Sequence, residues 1–158
     1  MTLMTHRPTN RKPRLLPPVF FLLAILLMVG LHFGLPLAHW IPWPWNLTGI
    51  LPIVAGLTIV VVADRQFKRH GTTIKPFQRS TALVTDGVFR YSRHPMYLGL
   101  VVVLVGLGIG LASVTPLLVI PVFGWWLTVR FIRAEEASLV EQFGEAYLEY
   151  KRRVRRWL

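Results

Sequence analysis

The chain has 158 residues, 53% of them hydrophobic and 16% charged, and its 18 Lys and Arg outnumber its 7 Asp and Glu to give a formal net charge of +11. Its length suits one domain, its apolar content excludes an ordinary soluble core, and its lack of cysteine excludes disulfides, thiol nucleophiles and thiolate metal sites. So basic a chain would suit nucleic acid, but the cations flank apolar stretches, where anionic lipid head groups lie; the expected partner is a membrane and no nucleic acid.

All charged side chains fall within residues 1–14, 64–93 and 130–158, leaving Leu15–Ala63 and His94–Val129 free of Asp, Glu, Lys and Arg. Each free stretch holds two crossings at ~20 residues apiece. The fold class that follows is an all-α integral membrane protein with four transmembrane helices in two hairpins, over about residues 17–35, 47–63, 95–113 and 115–132. Four Lys or Arg precede the first span, seven lie between the hairpins and seven follow the last. Such cations accumulate on the cytoplasmic side, so both termini and the charged face are expected there. The expected location is a bacterial or archaeal cytoplasmic membrane.

Arg7, Arg11, Lys12 and Arg14 precede the apolar run Val19–Leu35. A retained first helix is expected rather than a cleaved leader, because its loss would break the charge partition. It begins at Pro17-Pro18, where missing amide donors cost nothing. Trp40, Trp43 and Trp45 read as an interfacial aromatic belt. His32 and His39 read as packing or interface residues, and Gly49, Pro52 and Gly56 as tolerated irregularities of the second helix. Residues 64–94 form a polar loop too long to be an idle connection, and with its Asp86-Gly87 turn it is expected to fold against the membrane face.

The third helix starts at Pro95 and carries Gly99, Gly106 and Gly110, a spacing that lets helix backbones approach in lipid. A turn around Ala112–Pro116 makes the last two spans an antiparallel hairpin. Beyond Arg133, Leu139, Phe143, Tyr147, Tyr150 and Val154 recur at spacings of three and four. That predicts an amphipathic helix over residues 134–156, bent at Gly144 and anchored among head groups by Trp157.

The hairpin brings Arg93, His94 and Tyr97, at the mouth of the third helix, to the depth of Arg130, Arg133, Glu135 and Glu136 after the fourth. These residues form either a polar site open to water and lipid, or only interface anchors and an ion pair. No metal is expected, because one His and two adjacent Glu leave a ligand set short. The spans hold no carboxylate, which argues against a proton-coupled transporter.

The string TALVTDGVFRYSRHPMYLG at residues 81–99, followed after one hairpin by RAEEASLVEQFGEAYLEYKRRV at 133–154, resembles the C-terminal half of the isoprenylcysteine carboxyl methyltransferases, part of a wider group that includes phospholipid methyltransferases. The resemblance implies S-adenosyl-L-methionine in a cytoplasmic pocket closed by the polar loop and the C-terminal helix. It also implies a lipid-like acceptor arriving sideways between helices. The cofactor-binding residues it implies are Thr81, Ala82, Leu83, Val84, Phe89, His94, Pro95, Met96, Tyr97 and Glu135, and the catalytic ones Arg93, His94, Tyr97 and Glu136. The isoprenylcysteine enzymes carry an arginine four residues before the first Glu of the pair, to hold the substrate carboxylate; here that position is Phe131. Arg130 and Arg133 flank it as substrate-binding candidates, although each residue turns ~100° on a helix. Two alternatives stay open: N-methylation of a phospholipid amine, and a non-catalytic scaffold that keeps the fold. The acceptor and the oligomeric state do not follow from the sequence.

Overall fold

The structure, a computed structural model, describes residues 17–35, 37, 38, 40–71 and 82–158. The N-terminal basic residues, His39 and Thr81 lie outside the described residues. Those described are helical, with no extended strand.

Helix α1 (Pro17–Gly34) is apolar throughout. A 3-10 turn (Trp45–Gly49) leads into α2 (Ile50–Arg69), which outlasts the expected span by six residues. This extension is favoured by Lys68, which donates to Asp64 one turn earlier at 2.6 Å, and by Lys68 and Arg69 at the negative end of the helix dipole. A second 3-10 turn (Gly87–Arg90) precedes α3 (Pro95–Leu111), which starts on a proline. Ala112, in the left-handed region at φ 54°, reverses the chain. The return path is α4 (Val114–Leu117), α5 (Val119–Leu127), a π-helical turn (Thr128–Ile132) and α6 (Arg133–Phe143), followed by α7 (Glu145–Arg153).

Among the described residues three helical stretches are long and apolar enough to cross a membrane: Pro17–Gly34, Trp45–Arg69 and Val114–Phe143. At 17 residues α3 is about 26 Å long, slightly less than a hydrocarbon core of ~30 Å. The last crossing and the first half of the expected amphipathic helix form one run of 30 residues. The break falls at Gly144, whose φ of 53° strains any residue with a Cβ.

Helices α2 and α3 meet backbone to backbone. A Cβ on Gly56 would lie 2.5 Å from the Gly99 carbonyl oxygen, and one on Gly106 2.5 Å from that of Gly49. These two rungs are seven residues apart on each helix, so the close approach recurs after two turns. In lipid, where hydrophobicity does not drive helices together, such packing holds them by dispersion. Gly49 and Gly56 are therefore the partners of the α3 glycine face; the Gly110 nitrogen also lies against Gly49, although a Cβ on Gly110 itself would meet open space. On its other side α3 joins α1 and α5 around Met28, Leu104, Phe123, Leu127 and Phe131. The uncharged ends are tied by Trp40 N–H to Ala112 C=O at 3.1 Å and by the Thr115 hydroxyl to Leu35 C=O at 2.7 Å. Trp40, Trp43 and Trp45 are exposed there.

Gly99→Val would push a side chain into Gly56 and Val60, where overpacking costs about 1–3 kcal/mol. Thermal unfolding in one detergent should show a lower midpoint for it and no change for Gly30→Val, where nothing lies within 4 Å of the added carbon.

Candidate active site

The sequence places a carboxylate pair one turn past an apolar crossing, and the π-helical turn before it sets which way the pair faces. Phe131 and Ile132 are both fully buried, Phe131 against Phe20 with ring centres 5.8 Å apart. Glu136 then turns inward with 6% exposure, and Arg130 and Arg133 are exposed. π-Turns of this kind recur at functional sites because they offset the faces of a helix.

Opposite the pair stands the N-terminus of α3. The His94 ring lies between the two glutamates, its Nδ1 3.6 Å from Glu135 Oε2 and its Nε2 3.4 Å from Glu136 Oε1. The Tyr97 hydroxyl donates to Glu135 Oε1 at 2.5 Å, and its ring stacks on His94 with centres 5.9 Å apart. Arg93 Nη1 reaches Glu136 Oε1 at 3.0 Å. The hairpin therefore brings Arg93, His94, Tyr97, Glu135 and Glu136 into one cluster.

A third segment completes it. Arg156 grips Glu136 with both arms of its guanidinium, Nη2 to Oε2 at 2.7 Å and Nε to Oε1 at 3.0 Å, the bidentate geometry that makes such pairs strong. The tail is fixed by its backbone, since Arg93 N–H donates to Arg155 C=O at 3.0 Å and the Ser92 hydroxyl to Arg156 C=O at 3.2 Å. Tyr150 donates to Phe89 C=O at 2.7 Å, and Arg93 Nη1 donates to the Tyr147 hydroxyl at 3.4 Å. Burial pushes the phenols of Tyr147 and Tyr150 above their ordinary value, so both keep their protons at neutral pH. The hydrogen bond to Glu136 pushes the Arg156 guanidinium up.

The sequence reading did not find Arg156, Tyr147 or Ser92. Arg156 sits within KRRVRRW, where five cations mask the one with a specific partner, and nothing in the sequence singles it out. The other expected residues lie around the cluster. Val84 and Phe89 are buried with Ala63, against Phe67 and Met96, while Leu83 packs on Tyr147, Tyr150 and Val154. Pro95 is buried at the head of α3.

As a chemical set, the cluster suits a ligand that carries both a carboxylate and an ammonium or hydroxyl group. Arg93 Nε is buried and hydrogen-bonded to none of the described residues, a donor suited to a carboxylate. Glu135, 23% exposed at its side chain, is suited to an ammonium group or a ribose hydroxyl. Among the described residues no group of three or more His, Cys, Asp or Glu is arranged to hold a metal ion.

Residues 45–146 match the family described as phospholipid methyltransferase. Among individual proteins, the chain is 33% identical to protein-S-isoprenylcysteine O-methyltransferase A of Arabidopsis thaliana over 82% of its own length and 63% of that protein's. It is 35% identical to the protein-S-isoprenylcysteine O-methyltransferase of Homo sapiens over 69% of its length and 39% of that protein's. The chain thus spans less than two thirds of these relatives. Its fold matches a structure titled as the eukaryotic intramembrane Ras methyltransferase, isoprenylcysteine carboxyl methyltransferase, with a TM-score of 0.65 over 90% of this chain and 50% of that one at 22% identity.

Glu136→Gln should destabilise the protein by about 3–5 kcal/mol, since it leaves the Arg93 side chain, 7% exposed, without its counter-charge. Glu145→Gln removes only the exposed pair with Arg152 and should shift stability by ~0–1 kcal/mol in the same unfolding assay.

Proposed function

The chain belongs to the phospholipid methyltransferase family, and we propose that it is an integral membrane methyltransferase using S-adenosyl-L-methionine on a lipid-like or other hydrophobic acceptor. The observation that carries this reading is the convergence of His94, Tyr97, Glu135 and Arg93 at the mouth of one helix pair. Arg93 and His94 would hold the cofactor's carboxylate and Glu135 its ammonium group or ribose, with Leu83, Val84, Phe89, Pro95 and Met96 beside the adenine. Thr81 would extend that wall. When bound, the cofactor supplies a methyl group on a positively charged sulfur.

What remains for the protein is alignment and exclusion of water. Glu136 is engaged by two arginines and holds the cluster together rather than accepting a proton. The hydrogen-bonded Tyr97–Glu135 pair is the better proton acceptor where the acceptor is an amine. A carboxylate acceptor would need no base. The charged face would lie on the cytoplasmic side, with Arg65, Arg69, Lys151 and Arg155 exposed towards anionic head groups.

A second reading, N-methylation of a phospholipid amine, draws on a specific observation. Phe131 is buried, Arg130 and Arg133 are exposed, and the two arginines at the mouth are both engaged on Glu136. Of these four arginines the two at the mouth are already paired with Glu136 and the other two lie on the exposed surface, so none is left within the cluster to be dedicated to a carboxylate acceptor.

Titration with S-adenosyl-L-methionine should saturate, and His94→Ala or Glu135→Ala should weaken binding by about tenfold or more, as expected when a charge-assisted contact of 1.5–3 kcal/mol is lost. Unchanged affinity in both variants would reject the cofactor assignment. Isotopic methyl traced from the cofactor into a total lipid extract should then separate the two acceptors: a methyl ester releases methanol in alkali, an N-methyl head group does not.

A further inference from the structure

The charged end of α2 carries one face that is covered by the turn at Gly87–Arg90. Gln66, Phe67 and His70 fall within about 100° of one another on that helix and meet the turn at three successive points. His70 Nε2 lies 3.7 Å from Asp86 Oδ1, Gln66 Oε1 accepts the Val88 N–H at 3.1 Å, and the Phe67 ring meets the Phe89 ring edge-on with centres 4.9 Å apart. The Val88 N–H belongs to the start of a helical turn, where backbone donors have no partner within the turn itself. The half-buried Gln66 supplies one. Gly87 makes the fit possible, because its φ of 53° suits glycine and a Cβ there would overlap the Gln66 side-chain amide.

From the opposite side the Tyr150 hydroxyl of α7 donates to Phe89 C=O at 2.7 Å. The turn is thus clamped between α2 and α7. Its inner residues, Val84 and Phe89, pack with Ala63 and Phe67 of α2 and with Met96 at the head of α3. Apolar contact of this kind is non-directional and tolerates sliding. The hydrogen bond from Val88 to Gln66 is directional, so it fixes the register of the turn on the helix.

We propose that Gln66 is a positioning residue of the cofactor site: by accepting the Val88 N–H and filling the space left at Gly87, it holds the turn so that Val84 and Phe89 present the wall that faces the adenosine half. The inference rests on the methyltransferase reading above and deepens it. The polar cluster is built from α3, α6 and the tail, whereas the place of this turn is set by α2. The two halves of the cofactor would therefore be held by separate parts of the fold. Loss of Gln66 acts on the adenosine half alone.

The test uses the full chain in lipid nanodiscs and two ligands, S-adenosyl-L-methionine and 5′-methylthioadenosine, which keeps the adenosine and lacks the amino-acid group. Affinity for each, the unfolding midpoint, and amide hydrogen exchange of the peptide holding Asp86–Tyr91 without ligand are measured on the same samples. Gln66→Ala should weaken both ligands by the same factor, about three- to tenfold, as expected for one lost hydrogen bond, and should speed exchange in the turn. Gln66→Glu keeps an acceptor oxygen and should restore both readouts. His94→Ala, by contrast, should weaken S-adenosyl-L-methionine and spare 5′-methylthioadenosine. Gly87→Ala displaces Gln66 from the turn side and should weaken both ligands equally, with a smaller effect in the Gln66→Ala background, where the overlap is gone. If Gln66→Ala does not fold, Gly87→Ala reads the same displacement.

A lower unfolding midpoint with both affinities unchanged would make Gln66 merely structural and overturn the proposal. Failure of Gln66→Glu to restore binding, or a loss confined to S-adenosyl-L-methionine, would overturn it as well. A wild-type chain that saturates with neither ligand would overturn the methyltransferase reading itself, whereas saturable wild-type binding that Gln66→Ala leaves intact would overturn the role of Gln66 alone.

Discussion

A carboxylate with 6% exposure at the end of an apolar helical run is costly to leave unpaired, and Glu136 is such a group. The three side chains that answer it come from two places far apart in the chain, Arg93 and His94 at the head of α3 and Arg156 in the tail. Satisfying that single charge folds the tail back under the helix mouth. It also leaves His94 between Glu136 and Glu135, with Tyr97 stacked on it. The polar cluster is thus a consequence of neutralising one buried group, and its geometry is only as good as that neutralisation.

Helix α3 carries this arrangement because its two sides pack differently. Towards α2 it offers glycines, and the two backbones approach closely at two rungs flanked by Ile53, Val60 and Val103. Towards α1 and α5 it packs through interdigitated Leu, Met and Phe side chains, and one part of that seam stays open as a groove beside Trp157. The close backbone approach at those rungs gives the mouth a stiff support on one side.

Much of this was legible in the chain itself. The confinement of all 25 charges to three segments predicted helices grouped so that the charges share one end, and the described fold is all-helical with three to four candidate crossings and is similar to the fold of an intramembrane methyltransferase. The meeting of His94 with Glu135 followed from the tight turn alone, because a short antiparallel hairpin equates depths along its two helices. Other features were not legible. Gly49 and Gly56 looked like irregularities because nothing local says which glycine faces which helix. Arg156 was hidden in a run of like charges, since a sequence shows how many cations are present and not which one lies against a carboxylate. The continuity of the last crossing into α6 was also concealed, because the hydropathy changes at Arg130 while the helix runs on through a π-turn.

Read along the chain, the residues account for the apolar spans, the helical class, the grouping of charge and the two polar patches that meet. These depend on composition and periodicity, which are local properties counted along the chain. Tertiary structure alone decided that the tail supplies the second arginine, that Arg130 and Arg133 are exposed outside the cluster, and that a groove opens between α3 and α5. Each of those depends on the rotation of one helix about its axis relative to another. That rotation is set by a π-turn, by glycine rungs and by a buried ion pair acting together, and no single stretch of residues encodes it.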